Sequence, residues 1–191
     1  MNTVTIIGTG TMGNTIGALL AKGGAQVEYL GRDDAATPAT GDIVVLALPY
    51  PAVGGVLADR KDQLAGKVVV DISNPLDFAT FDSLVVPADS SAAAEVARAL
   101  PSAHVLKAFN TTFAATLATG VVGTAPTTVL IAGDDADAKA QLAALVTAAG
   151  LDAVDAGALS RAREMEALGF LQLTLAAGEK ISWTGGFALQ H

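Results

Sequence analysis

The sequence predicts a doubly wound α/β fold, in which helices cover both faces of a mostly parallel β-sheet. Three observations support this prediction. Short apolar runs alternate with helix-like segments along most of the chain. Most of these runs are continuously apolar rather than alternating, which is typical of strands covered on both faces. The first run, TVTII, passes directly into a glycine-rich turn that opens a helix-like segment.

The predicted strands and helices follow one another in a regular order. Seven apolar runs are predicted as strands, at residues 4–7, 27–30, 43–47, 68–72, 105–108, 129–132 and 152–154. Four segments between them have the composition of helices, at residues 12–22, 51–64, 91–100 and 136–149. This repetition of strand and helix builds a sheet whose carboxyl edge is the usual place for a ligand.

Two segments break this order. A crossover that includes a helix needs at least about 10–12 residues. Residues 32–42, RDDAATPATGD, only just reach this length and have Pro38 in their middle, so we predict a loop. Residues 159–180 predict a long amphipathic helix, which the tail ISWTGGFALQ follows. This helix either packs on its own domain or forms a homodimer interface through one apolar stripe, made of Leu159, Met165, Leu168, Leu171, Leu175 and Ala176.

Composition excludes several classes of function. The 191 residues are 51% hydrophobic and include no cysteine, which excludes disulfides and thiolate chemistry. Only His104 and His191 could serve as histidine ligands, so we predict no metal site. The formal charge of −8 argues against nucleic acid as a partner. Neither a membrane span nor a signal peptide is evident, so a cytoplasmic protein is expected.

The glycine-rich turn predicts a dinucleotide site. Gly8, Gly10 and Gly13 form G-x-G-x-x-G between the first strand and the first helix, which is the context of a Rossmann fold. Gly8 permits the tight turn, Gly10 lets the backbone approach a pyrophosphate, and Gly13 lets the helix pack on the strand. The free amides of residues 11–13 would then bind the pyrophosphate.

The end of the second strand, in VEYLGRDD, should choose between NAD and NADP. Glu28 lies inside the strand, whereas Gly31 and Arg32 lie at its end. A guanidinium there can bind a 2′-phosphate, which favours NADP(H). In the alternative, Asp33 or Asp34 binds the ribose hydroxyls and Arg32 is a surface charge.

Polar residues end the next three strands, at the same predicted edge. Leu48, Pro49 and Tyr50 should border the cofactor. After the fourth strand, Asn74 can bond the nicotinamide ribose or carboxamide, whereas Asp71 is expected to be structural. After the fifth strand, the acceptor pocket should be lined by Asn110, Thr111 and Thr112, whereas Lys107 is expected to reach the surface as most strand-end lysines do.

This inventory fits hydride transfer, because the cofactor carries the chemistry and the protein supplies position. No hydrolase elbow or acid–base pair is evident, so we predict no catalytic residue as such. Two alternatives remain. One is a non-enzymatic NADP(H)-binding sensor. The other is a dehydrogenase for a small alcohol or imine, which would need a general acid near the nicotinamide.

Several motifs together resemble the NADPH-dependent coenzyme F420 (deazaflavin) reductase family. They are TIIGTGTMG, a strand ending in Gly-Arg, DISNP, VLKAFNT and DAGALSRAREMEAL, and they extend from Val4 to about Leu175. The same domain type resembles the cytoplasmic flavin-reducing part of membrane metalloreductases. The resemblance implies an NADP-binding Rossmann domain at residues 1–157, a C-terminal helix and tail at 158–191, and a homodimer.

The resemblance also assigns residues. It implies that Thr9, Thr11 and Met12 join the glycines at the pyrophosphate and that Arg32 holds the 2′-phosphate. Asn74 and Pro75 would flank the nicotinamide, and F420, or FMN or FAD in its place, would stack beside Asn110, Thr111, Thr112 and Phe113. Residues 159–166 match the family's C-terminal helix, in which Arg163 and Glu166 would form an ion pair.

The chain departs from the family in two places. The family usually has a helix and further basic residues between the second and third strands, where this chain has a short loop with Asp33 and Asp34. Acidic residues in place of basic ones would weaken the preference for NADP over NAD. The acceptor segment NTTFAATLATG also lacks the histidine that some members have, which bears on the identity of the acceptor.

Overall fold

The computed structural model describes residues 2–189 and has the predicted α/β architecture. The strands are β1 Thr3–Ile7, β2 Gln26–Leu30, β3 Ile43–Leu46, β4 Val68–Asp71, β5 His104–Ala108, β6 Val121–Val122, β7 Ala125–Pro126, β8 Thr128–Gly133 and β9 Asp152–Gly157. The helices are α1 Thr11–Lys22, α2 Tyr50–Leu64, α3 Ala92–Ala99, α4 Ala114–Thr119, α5 Ala136–Ala148 and α6 Ala162–Ala177.

Seven strands form the main sheet, in the order β2-β1-β3-β4-β5-β8-β9. The five strands from β2 to β5 are parallel, so their carboxyl ends share one edge, which we call the carboxyl edge. All four residues of β3 are buried, and alternate residues enter two different hydrophobic clusters. Helices α1, α4 and α5 cover one face, while α2, α3 and the start of α6 cover the other. The strands are therefore continuously apolar because helices cover both faces of the sheet, as predicted.

The sheet reverses direction after β5, because β8 is antiparallel to it. The sequence did not predict the two elements that precede this reversal, α4 and the β6–β7 hairpin. A helix of six residues is about 9 Å long, which is too short to carry the chain back across the sheet. The chain therefore re-enters the sheet from the carboxyl edge.

The crossover between β2 and β3 contains one 3₁₀ turn, Arg32–Asp34, and otherwise no helix, as predicted. Arg60 of α2 holds it in place and is itself buried. The Arg60 guanidinium donates to the carbonyl oxygens of Asp34 at 2.8 Å and Thr37 at 2.7 Å. These bonds satisfy loop carbonyls that a helix would otherwise pair.

Helix α6 packs on its own domain, but not through the full predicted stripe. Leu159, Met165 and Ala176 are buried as expected, whereas Leu171 is 49% exposed. The buried face of the helix also includes Glu166, Gly169 and Gln172, which belong to the carboxyl edge described below. The homodimer stays a prediction. No helix in the described part of the chain is both long and apolar enough to cross a lipid bilayer.

Candidate functional site

The glycine turn between β1 and α1 has the close contacts that its sequence predicts. Gly8 has φ +113°, and a Cβ there would overlap the carbonyl oxygen of Ala47. A Cβ on Gly13 would overlap the carbonyl oxygen of Gly8, which shows how closely α1 approaches the strand. Both positions therefore require glycine.

Gly10 differs from its two neighbours because it faces open space. A Cβ on Gly10 would meet no atom within 4 Å, and the residue is exposed at the first turn of α1. The first amides of a helix have no carbonyl one turn earlier to accept their hydrogen bonds. Together, this open space and the free amides make a cradle that fits an anionic group such as a pyrophosphate.

Gly31 and Arg32 lie directly beside this cradle. A Cβ on Gly31 would lie 3.7 Å from the hydroxyl of Thr9 in the glycine turn. The amide of Gly31 donates to the carboxylate of Asp34 at 2.8 Å, so Asp34, rather than Asp33, turns back toward the strand end. Arg32 is exposed and forms no ion pair with another residue of the 2–189 range.

Glu28 already has hydrogen-bond partners within the fold. Its carboxylate accepts from the hydroxyl of Thr5 at 2.5 Å and from the amide of Thr40 at 2.8 Å. Burial alone would raise the pKa of Glu28, but these hydrogen bonds lower it more. Glu28 thus ties β2 to β1 and to the crossover loop.

A cleft of 420 Å³ opens at the carboxyl edge, next to the glycine turn. Its walls come from the start of α1, the end of β4, the segment after β5, α6 and the tail. It is lined by Thr11, Met12, Ile72, Asn74, Phe109, Asn110, Thr112, Phe113, Ala114, Ala115, Leu173 and Trp183. None of these side chains is ionisable. The predicted donor and acceptor segments therefore meet in one cleft.

Two asparagines at the cleft are bonded to each other. Asn74 Nδ2 donates to the backbone carbonyl of Asn110, and Asn110 Nδ2 donates to Asn74 Oδ1, both at 3.1 Å. Asn110 Nδ2 also donates to the carbonyl of Met165 in α6 at 2.9 Å. Asn110 Oδ1 is buried and has no hydrogen-bond partner within residues 2–189. The pair joins the ends of β4 and β5 to α6.

The turn after β5 has a strained backbone. Phe109 is fully buried with φ +62°, a conformation that costs a bulky residue about 1–3 kcal/mol. Its carbonyl accepts from the hydroxyl of Thr112 at 2.8 Å. This local bond holds the turn from which Asn110 and Phe113 reach the cleft.

Lys107 does not reach the surface as expected, because it forms the centre of a buried ionic triad. Its side chain is 0% exposed, and its ammonium lies 2.8 Å from the carboxylates of both Asp71 and Glu166. The ammonium also donates to the carbonyl of Ser73 at 2.6 Å. A lysine that cannot reach water needs such partners, because an unpaired buried charge is very costly.

The triad anchors α6 to the sheet. Glu166 also accepts from the amide of Ala92 at 2.9 Å, at the start of α3. Burial raises the pKa of the Glu166 carboxyl more than the ammonium of Lys107 and the amide of Ala92 lower it. The predicted ion pair of Glu166 with Arg163 is therefore wrong. Arg163 points to the exposed side of the helix, where it lies 3.5 Å from Glu164.

The remaining predicted site residues lie around this edge without lining the cleft. Pro75 follows Asn74 and is buried, and the carbonyl of Thr111 accepts from Gln172 of α6 at 3.2 Å. Leu48 and Pro49 lead from β3 into α2. The Tyr50 hydroxyl donates to Glu95 at 2.6 Å. Burial is the larger cause, and this hydrogen bond the next, of a rise in the pKa of Tyr50 to about 12.

Asp71 is structural as predicted, since it also accepts from the amide of Ser73.

Sequence reasoning missed the contributions of α6 and the tail. Glu166, Gly169 and Gln172 are spaced three residues apart on α6, so they share a helix face. Glu166 and Gln172 are polar residues on an otherwise apolar helix face, and this pattern could have indicated that the face contacts a polar site. Trp183 lies in a short glycine-containing tail without periodicity, and nothing local predicts where its ring packs.

Comparisons with known proteins relate this chain to a family of reductases. A family model described as "NADP oxidoreductase coenzyme F420-dependent" matches residues 18–75. The chain is 30% identical over 171 residues to the F420-dependent NADP reductase of Methanocaldococcus jannaschii, covering 87% of this chain and 76% of that protein. It is 37% identical over 112 residues to the metalloreductase STEAP3 of Rattus norvegicus, covering 59% of this chain but only 22% of that protein.

A solved structure extends the likeness to the whole fold. A candidate F420-dependent NADP reductase from Arthrobacter sp. FB24 superposes with a TM-score of 0.87 at 27% identity, covering 98% of this chain and 99% of that one. The fold and these relatives show the class, which is that of Rossmann-type NADP-dependent oxidoreductases. Within this class, the chain belongs to the F420-dependent NADP reductase family.

Proposed function

We propose that this protein transfers a hydride between NADP(H) and a planar acceptor, the deazaflavin F420 or a flavin such as FMN or FAD. One observation carries the proposal. Thr11 and Met12, from the glycine turn, line the same 420 Å³ cleft as Asn110, Thr112 and Phe113. A dinucleotide whose pyrophosphate lies on the glycine turn would therefore extend its nicotinamide toward the acceptor segment.

The donor half of the proposal rests on the cradle at α1. The amides of residues 11–13 would hold the pyrophosphate, with Thr9 and Met12 beside it. Arg32 would bind the 2′-phosphate, because it is exposed next to the cradle and has no ion-pair partner in the described range. Leu48, Pro49 and Tyr50 would border the ribose and the pyrophosphate of the cofactor.

The acceptor half rests on the Asn74–Asn110 pair and the apolar wall around it. In the proposed reaction, NADPH would give a hydride from C4 to the acceptor ring and become NADP⁺, and bulk solvent would supply the one proton that completes the reduction. The chain's task is to hold the two rings together. A cleft lined without ionisable side chains suits this task, whereas an alcohol or imine dehydrogenase would need a general acid there.

The test is turnover of the purified protein with NADPH and each acceptor in parallel. We expect NADPH oxidation, followed at 340 nm, with at least one of F420, FMN and FAD. Binding of NADPH without oxidation by any of the three would remove the proposal. A change of oligomeric state with NADPH, in the absence of turnover, would instead support the alternative of a non-enzymatic NADP(H) sensor.

A further inference from the structure

Trp183 lies at the cleft although it belongs to the tail that follows α6. Its ring centroid is 5.0 Å from that of Phe113, with the two planes tilted by 56°. It lines the same cleft as the glycine-turn residues Thr11 and Met12, and it is still 52% exposed. A large aromatic ring that is half-covered by its own chain leaves apolar surface for a ligand to cover.

The tail is held in place by a buried glutamine of α6. Gln172 is 2% exposed, and its Nε2 donates to the carbonyl of Thr111 in the acceptor segment at 3.2 Å. Its Oε1 accepts from the amide of Phe187 in the tail at 3.1 Å. One side chain therefore joins the tail to the segment that carries Phe113.

The tail also has the local structure needed to present one ring. The amide of Gly185 donates to the carbonyl of Ser182 at 2.9 Å, which closes a turn with Trp183 near its tip. Gly186 has φ +143°, and a Cβ there would lie 3.0 Å from Gln172 Oε1. Glycine at this position therefore allows the tail to lie against Gln172.

We propose that Trp183 is a specificity-determining residue, whose indole stacks on the planar ring of the electron acceptor. This inference rests on the proposed function. The ligand class follows from the wall itself: Phe113 and Trp183 supply two aromatic rings and no charge, which matches a flat heteroaromatic ring. Gln172 is a positioning residue, because it acts on the acceptor only through the tail.

The experiment compares steady-state kinetics of wild type, Trp183→Ala, Trp183→Phe and Phe187→Ala, with F420 and FMN as acceptors. Phe187 is the matched control, because it is an aromatic residue of the same tail that is 47% exposed and is not among the residues lining the cleft. In Trp183→Ala, we expect the acceptor KM to rise about tenfold or more, as expected for loss of one stacking partner. The KM for NADPH should change little.

Trp183→Phe should recover most of the acceptor affinity, because a phenyl ring also stacks, and Phe187→Ala should resemble wild type. If wild type is active and Trp183→Ala keeps its acceptor KM, the inference fails while the proposed function stands. An equal rise in both KM values would assign Trp183 to general folding and overturn the inference. An altered sedimentation coefficient with an unchanged acceptor KM would do the same, by assigning Trp183 to contacts between copies. Absence of turnover in wild type would instead contradict the proposed function.

Discussion

At the scale of single residues, the proposed preference for NADP(H) depends on Arg32. The charges around it, Asp33 and Asp34, left two interpretations open in the sequence, and the structure distinguishes the two aspartates. Asp34 is engaged with the amide of Gly31 at 2.8 Å, whereas Asp33 and Arg32 are both exposed. In a chain of formal charge −8, we propose that this one cation provides the local attraction that a 2′-phosphate needs.

Replacing Arg32 tests this attraction directly. We expect wild type to bind NADPH about ten- to a hundredfold more tightly than NADH, since charge-assisted hydrogen bonds contribute roughly 1.5–3 kcal/mol. Arg32→Ala should remove this preference and leave NADH binding unchanged. Arg161→Ala is the control, because Arg161 is an exposed arginine on the 3₁₀ turn that follows β9. Equal affinities for the two nucleotides in wild type would contradict the assignment.

At the scale of elements, one face of α6 contacts three parts of the carboxyl edge. Glu166 reaches the triad, Gly169 contacts the asparagine pair, and Gln172 reaches the acceptor segment. These three contacts set how closely the helix lies against the carboxyl edge. The helix is therefore a wall of the cleft as well as a cover for the sheet.

Lys107→Met should destabilise the protein strongly, because it leaves the carboxylates of Asp71 and Glu166 buried without their cation. Loss of one member of a buried ion pair typically costs about 3–5 kcal/mol of the free energy of unfolding. Lys139→Met is the control, since its partner Asp155 is 60% exposed and such pairs contribute about 1 kcal/mol or less. Urea denaturation measures both.

A triple variant separates charge from packing at the triad. Asp71→Asn and Glu166→Gln combined with Lys107→Met remove all three charges, so part of the lost stability should return. If Lys107→Met costs no more than Lys139→Met, the triad does not anchor α6 as described.

Gly169→Ala should disturb the cleft through its contact with the asparagines. A Cβ there would overlap Asn74 Oδ1 and lie 2.8 Å from the carbonyl oxygen of Asn110, so α6 must move outward. We expect a lower kcat/KM for the acceptor and a lower melting temperature. Gly55→Ala is the control, because that helical glycine has no atom within 4 Å of its Cβ position, and alanine there should stabilise the protein by up to about 1 kcal/mol. Normal activity and stability of Gly169→Ala would contradict the described packing.

The elements that sequence could predict are those with strong local signals. The parallel strands were found from continuous apolar runs, and the glycine turn from its spacing. Helix α4 and the reversal at β8 were missed because a helix of six residues has too little periodicity to detect. Lys107 was misplaced because its two partners lie 36 residues before it and 59 residues after it, at Asp71 and Glu166, and no local pattern reports such pairing.

At the scale of the whole molecule, the glycine turn and the polar segments that follow β4 and β5 line one cleft. The fold places the glycine turn and the ends of β4 and β5 at the same edge, and α6 and the tail add Leu173 and Trp183 to the wall of the cleft. The wall that results is apolar and amide-lined, without an ionisable side chain among its residues. Under the proposed function, such a cleft would position two rings, which is the main requirement of hydride transfer.

The most direct test of this account follows the hydrogen itself. NADPH carrying deuterium at C4, prepared as each of the two stereoisomers, is oxidised by the protein with F420 as acceptor. We expect deuterium at C5 of the reduced deazaflavin from one stereoisomer and none from the other, because a fixed cleft holds one face of the nicotinamide against the acceptor. Deuterium released to water, or equal transfer from both stereoisomers, would contradict direct hydride transfer in this cleft.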